Sequence, residues 1–254
     1  TVMGTSGAEM SHFTVRNGLE GILCENAAPY IHHCYVVDNH ATGIGAFISL
    51  PHLRNNVVYG NRWSGILAWG AKSLDAFIEH NVVLRNGYSG LALKGPTNVI
   101  ARNNIFMENH YYGVFADPAA GQTKVEYNNI YKNYYPFNHF IKVNRTNVSL
   151  DPKFMNHSLS KPNFYCQSTS PMLKRGKGKL DIGLTTVEVV KEEEQAEETR
   201  NPDTDADGLC DPWVSEEGVS DKYASVCTGM DNCPEEAEDF DGYQDDDGCP
   251  DADN

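Results

Sequence analysis

The sequence predicts an all-β fold: a right-handed, single-stranded parallel β-helix of about six coils over residues 1–185, then an acidic linker over 186–201 and a small irregular, disulfide-stapled tail over 202–254. Three observations carry this expectation. Asn, Gly and branched apolar residues recur in fixed columns at intervals of 22 to 25 residues. No segment shows the 3.6-residue apolar period of an amphipathic helix. The charge is also unevenly spread: residues 191–254 hold 23 of the 35 acidic residues and only Lys191, Arg200 and Lys222 on the basic side, so that segment carries −20 and the remainder +5.

Thr1 already stands inside the repeat pattern, so the chain reads as a piece of a longer protein, and the missing leader says nothing about export. The repeat is N-x-x-x-x-N-x-x-x-G-[ILV]. One column runs His12, Cys34, Asn56, Asn81, Asn104, Asn128, and the next runs Asn17, Asn39, Asn61, Asn86, Asn109, Asn133. A glycine column follows at Gly21, Gly43, Gly65, Gly90 and Gly113; the sixth repeat breaks there, with Phe137 in the glycine position. Two apolar columns, Thr14-Val36-Val58-Val83-Phe106-Ile130 and Ile31-Leu53-Ile78-Ala101-Val125, are expected to point inward. Asn and Gly are read as turn residues that tolerate left-handed backbone, and a buried Asn amide can bond its counterpart in the next coil. A repeat this short cannot bury its own apolar face, so the coils must stack. Leucine-rich repeats have similar length, but the Leu ladder they require is missing.

The segments VRNGLEGILCENAAPYIHHCYVVDN and RNNVVYGNRWSGILA resemble the β-helix repeats of the pectin-lyase-like superfamily. The closing segment, LDPKFMN through CQSTSPMLKRGKGKLDIGL, is similar to the end of many bacterial secreted β-helix proteins. This resemblance covers roughly residues 8 to 184. It implies the fold and leaves the function open, since lyases, hydrolases, epimerases and non-catalytic adhesins share it.

The linker VEVVKEEEQAEETRNP is charged, free of Gly and ends at Pro, as a solvated connector does. In the tail the pattern DxDGxxD occurs three times, through Asp205, Asp207 and Asp211, through Asp239, Asp241 and Asp245, and through Asp245, Asp247 and Asp251; Asp203 extends the first copy. Carboxylates at alternate positions before a Gly can converge on one ion, as in the first half of an EF-hand loop. Val214 stands where an EF-hand places its bidentate Glu, which disfavours that motif. DTDADGLCD and DNCPEEAEDFDGYQDDDGCPDADN instead resemble thrombospondin type-3 repeats, frequent in bacterial surface proteins. That resemblance implies Ca2+ as the cofactor and cysteine staples among Cys210, Cys227, Cys233 and Cys249, with connectivity open. The acidic field disfavours nucleic acid, and no stretch is apolar and long enough to span a bilayer.

Within the coils, Arg54, Glu79 and Arg102 fall in one column with His32 and Glu126, expected to face outward. A lyase would use an Arg there as base; alternation of sign favours an ion ladder instead. A second set, Trp63, Tyr88, Tyr111 and Tyr135 with His40, Arg62 and His110 one position earlier, places aromatic faces on successive coils and is the candidate glycan site. No hydrolase carboxylate pair is apparent. The combined expectation is a non-catalytic extracellular or cell-surface protein, a carbohydrate-binding or adhesive β-helix on a calcium-rigidified stalk, with a polysaccharide lyase as the alternative.

Overall fold

The structure, a computed structural model, describes residues 2–3, 6–120, 123–158 and 162–185. Three parallel sheets stack along one axis. The first contains Val2–Met3, Ile22–Glu25, Ile44–Phe47, Ile66–Trp69, Ser89–Lys94, Tyr112–Ala116 and Tyr135–Phe137. The second runs from Ser6–Ser11 through Ala28–His32, His52–Arg54, Lys72–Glu79 and Asn98–Arg102 to Lys124–Glu126. The third runs from Thr14–Arg16 through Tyr35–Val37, Val57–Tyr59, Val82–Leu84 and Ile105–Met107 to Asn129–Tyr131. Each coil gives one strand to each sheet, so every strand pairs with the equivalent strand of the next coil and the chain forms a parallel β-solenoid. Among the described residues the only helical turn is 3-10, at Lys177–Lys179.

Inside, like residues stack on like. Ile22, Ile44, Ile66, Leu91 and Val114 form one row, and Ile31, Leu53, Ile78, Ala101 and Val125 another. Both rows are buried in one continuous core with Val36, Val58, Val83, Phe106 and Ile130 of the third sheet. Cys24 and Cys34 are buried there as free thiols, and burial pushes Cys24 up to about 11, which leaves it an inert apolar filler.

Two asparagine ladders run up the corners on either side of the third sheet. In each step the Oδ1 of one Asn accepts the backbone N–H and the Nδ2–H of the Asn one coil earlier, as Asn81 does from Asn56 at 2.9 and 3.0 Å. Asn81 Nδ2 then donates to Leu53 O, Glu79 O and Asn104 Oδ1. The first ladder continues beyond Asn128 to Asn147, whose Oδ1 accepts Asn128 N–H at 2.9 Å. The second joins Asn39, Asn61, Asn86, Asn109 and Asn133.

Three expectations are corrected. The first coil is one residue out of register: Thr14 pairs with Tyr35 and is exposed, Val15 is the inward residue, and the N–H that donates to Asn39 Oδ1 is that of Gly18 rather than Asn17. Apart from His12 and Asn17 of the slipped first coil, the left-handed residues are not the column Asn and Gly but those just before each ladder Asn, such as His33, Asn55, His80, Asn103 and Tyr127, with φ of 51° to 56°. The column glycines serve close approach instead: a Cβ at Gly43 would lie 2.6 Å from Gly65 O and from Val58 Cγ1.

The outer face of the third sheet is not solvated. Val57, Val82, Leu84 and Ile105 pack there against Phe154, Phe164, Met172, Ile182 and Leu184 of the segment that closes the domain. The Phe154–Asn156 and Asn163–Cys166 strands form a small antiparallel pair within that cover.

Replacing Asn81 by Ala orphans buried groups on two coils at about 1–3 kcal/mol each. The domain should therefore lose about 3 kcal/mol or more in chemical denaturation, whereas Asn17→Ala, off the ladder, should cost only about 1 kcal/mol. Equal losses at both positions would contradict the corrected register.

Candidate functional site

The outer face of the first sheet holds a groove of about 440 Å³. Its floor includes Leu67, the outward apolar residue of the Ile66–Trp69 strand. One wall is the turn carrying Arg62, Trp63 and Tyr88; the other is the strand-end row Phe47, Trp69, Lys94. Trp63 is 62% exposed and Trp69 50%. The Trp69 and Phe47 rings lie 6.0 Å apart, and Lys94 Nζ stands 5.7 Å from the Trp69 ring centroid. Glu20 also lines the groove, held by Thr42 N–H at 2.9 Å to one carboxylate oxygen. The arrangement combines flat apolar faces, two cations, one carboxylate and the Ser64 hydroxyl around a shallow apolar floor, a chemistry suited to the mixed faces of a sugar ring.

The remaining residues of the aromatic column follow the same turn. Backbone bonds from Tyr88 to Trp63, Tyr111 to Tyr88 and Tyr135 to Tyr111 stack the column coil on coil. The rings do not form a uniform ladder: Tyr88 and Tyr111 are 5.8 Å apart and tilted by 46°, while Tyr135 stacks on Tyr112 at 5.5 Å. Arg62, Trp63 and Tyr88 line the groove, whereas His40, His110, Tyr111 and Tyr135 lie outside it. Phe47, Trp69, Lys94 and Glu20 are site residues that the column reading missed. The signal for three of them was present, since Phe47, Trp69 and Lys94 each stand three residues after the inward Ile or Leu of their strand.

Arg54, Glu79 and Arg102 do sit on adjacent coils, but not on a solvent face. Glu79 is 4% exposed. Its carboxylate meets Arg102 Nε at 2.9 Å, His52 Nε2 at 3.3 Å and Arg54 Nη1 at 3.4 Å. Burial pushes Glu79 up, but the His52 hydrogen bond and the Arg102 and Arg54 charges outweigh it and hold the carboxyl at about 2. A carboxylate so engaged is a poor proton acceptor, and the guanidiniums beside it are committed to it, so the cluster ties three coils together instead of offering a base.

Asp203, Asp205, Asp207, Asp211, Asp239, Asp241, Asp245, Asp247 and Asp251, and the four tail cysteines, lie outside the described residues. Among the described residues no group of three or more His, Cys, Asp or Glu is placed to hold a metal ion.

Glu79→Gln leaves two partly buried guanidiniums without their counter-charge and should cost about 3 kcal/mol or somewhat less. Because the folded pKa lies below the ordinary 4.5, the contribution of Glu79 is complete above about pH 4.5 and lost as pH falls toward 2. Thermal melts of both proteins at pH 7 and pH 3 check this: the difference should shrink at the lower pH.

The family model described as "right handed beta helix region" matches residues 1–151. No curated protein and no solved structure gives a significant match. With more than half of the chain matched, and parallel sheets repeating once per coil, the chain belongs to the right-handed β-helix family.

Proposed function

We propose that the β-helix is a carbohydrate-binding scaffold of an extracellular or cell-surface protein, and that its acidic tail binds calcium and acts as a stalk. The observation that carries the first part is the placement of Trp63 and Trp69, both at least half exposed, on opposite walls of one apolar-floored groove with Arg62 and Lys94 beside them. Single exposed aromatics are ordinary on protein surfaces; two tryptophans bordering one concavity amount to a binding surface kept open to water. Among the described residues Glu20 is the one carboxylate lining the groove, so they form no acid and base pair for glycoside hydrolysis there. That favours binding over turnover. The calcium part rests on the three DxDGxxD copies and the resemblance to thrombospondin type-3 repeats.

Oligosaccharides of defined composition, titrated calorimetrically into the chain, test the groove. Trp63→Ala and Trp69→Ala should each weaken binding at least about tenfold, or 1.4 kcal/mol, while the melting temperature stays put. Unchanged affinity in both variants would remove the groove from the account.

Calcium is tested separately, by titration into the full chain and into a chain ending near Leu184. Binding should be confined to the full chain and accompanied by a change in far-ultraviolet circular dichroism. Binding retained by the shorter chain would place the ion among the coils and sink the stalk reading.

A further inference from the structure

The segment that closes the domain is fastened to the solenoid by two matching asparagine–histidine pairs. Thr185 donates its backbone N–H and its hydroxyl to Asn55 Oδ1, both at 3.0 Å. Lys177 donates its backbone N–H to Asn103 Oδ1 at 2.8 Å. A backbone N–H can only donate, so each of these amides must turn its oxygen to the closing segment and its Nδ2 the other way. On that other side stands a histidine in each case: Asn55 Nδ2 is 3.3 Å from His33 Nε2, and Asn103 Nδ2 is 3.3 Å from His80 Nε2. Both Nε2 atoms must therefore be unprotonated acceptors. The proton sits on Nδ1, where His80 donates to Gly183 O at 3.2 Å and His33 to His32 Nδ1 at 2.7 Å. His32 in turn donates Nε2–H to Glu9 at 2.9 Å. Every atom has a compatible partner only while His33 and His80 are neutral.

We propose that residues 176–185 are a proton-released strap: protonation of His33 and His80 sets N–H against N–H at Asn55 and Asn103, turns those amides away from Thr185 and Lys177, and frees the strap from the outer face of the third sheet.

The surroundings set the direction. For His80, burial acts first against the charge; Glu79 and the Gly183 hydrogen bond favour it, Arg54 and Arg102 oppose it, and the result is about 4. Glu79, held at about 2, stays ionised throughout, so its pull on His80 is constant. For His33, burial again acts first, joined by His32, by His12 stacked on it at 5.2 Å and by Arg54, and the result is also about 4. The ordinary value is 6.5. A released strap removes its share of the burial and lets both rings take protons more readily, while the neighbouring charges stay on the coils, so the docked form is favoured at neutral pH and loses ground as pH falls toward 4. Across that window the release constant rises up to about tenfold per pH unit for each histidine. Release takes Ile182 and Leu184 off the apolar face of Val57, Val82, Leu84 and Ile105, while Phe154, Phe164 and Met172 remain outside the strap.

Hydrogen exchange of the full chain at pH 7 and pH 5, corrected for intrinsic rates, reads the strap directly. Protection of the Lys177, Gly183 and Thr185 amides should fall more than tenfold, with Ile66 and Leu91 of the first sheet unchanged. In the double variant His33→Gln and His80→Gln, whose side chains still accept and donate but do not titrate, protection should persist at pH 5. If that variant does not fold, nitrogen-15 titration of the wild-type rings serves instead, and the midpoints of His33 and His80 must coincide with loss of strap protection. Unchanged protection, loss of the first sheet together with the strap, release in the glutamine variant, or non-coincident midpoints would each overturn the proposal.

Discussion

A solenoid that turns a corner two or three times per coil must do something with the backbone groups at the corner, because no neighbouring strand reaches them. Here the Asn side chains do it. Each amide satisfies a backbone N–H one coil earlier and backbone carbonyls beside and before it, so the corner is bonded as continuously as the sheets are. This constraint sets the rest of the molecule. It fixes where each coil begins and ends, and therefore which apolar residues fall in register inside and which residues fall in register outside. The left-handed residues before each ladder Asn make the sharp bend that brings the amide to the axis, and each costs about 1 kcal/mol unless a glycine occupies the place.

The outside rows follow from the same register and differ in what covers them. On the first sheet Leu67 faces outward between the turn of Arg62 and Trp63 and the strand-end row of Phe47, Trp69 and Lys94, and no segment among the described residues fills the space, so it remains a groove. On the third sheet the outward residues are as apolar as the inward ones, and the closing segment buries them. On the second sheet one outward row, Arg54, Glu79 and Arg102, carries charge, and Glu79 is submerged among the cations of the flanking coils. One repeat thus yields an open groove, a face covered by the closing segment and an ionic clamp.

The inward columns were legible because full burial on every coil demands the same kind of residue each time. The first coil was not, since its ladder position is Gly18, which supplies only a backbone N–H and leaves no side chain to align. The cover on the third sheet was foreshadowed by VVY, VVL and IFM, strands apolar at every position, which a half-solvated strand would not be. Glu79 could be placed on the outward side but not at its depth, because depth depends on how the long side chains of Arg54 and Arg102 fold over it. Half of the groove was visible as an aromatic column. The wall of Phe47, Trp69 and Lys94 shares a position but no common chemistry, so nothing in residue type tied the three together.

The proposed ligand site is the groove bordered by Trp63, Trp69, Arg62 and Lys94. The most direct measurement is nuclear magnetic resonance of the labelled full chain with a bound oligosaccharide. The account predicts that the largest shifts fall on the indole groups of Trp63 and Trp69 and on the amides of Leu67 and Lys94. Shifts confined to other faces of the solenoid, with both indoles unmoved, would contradict it.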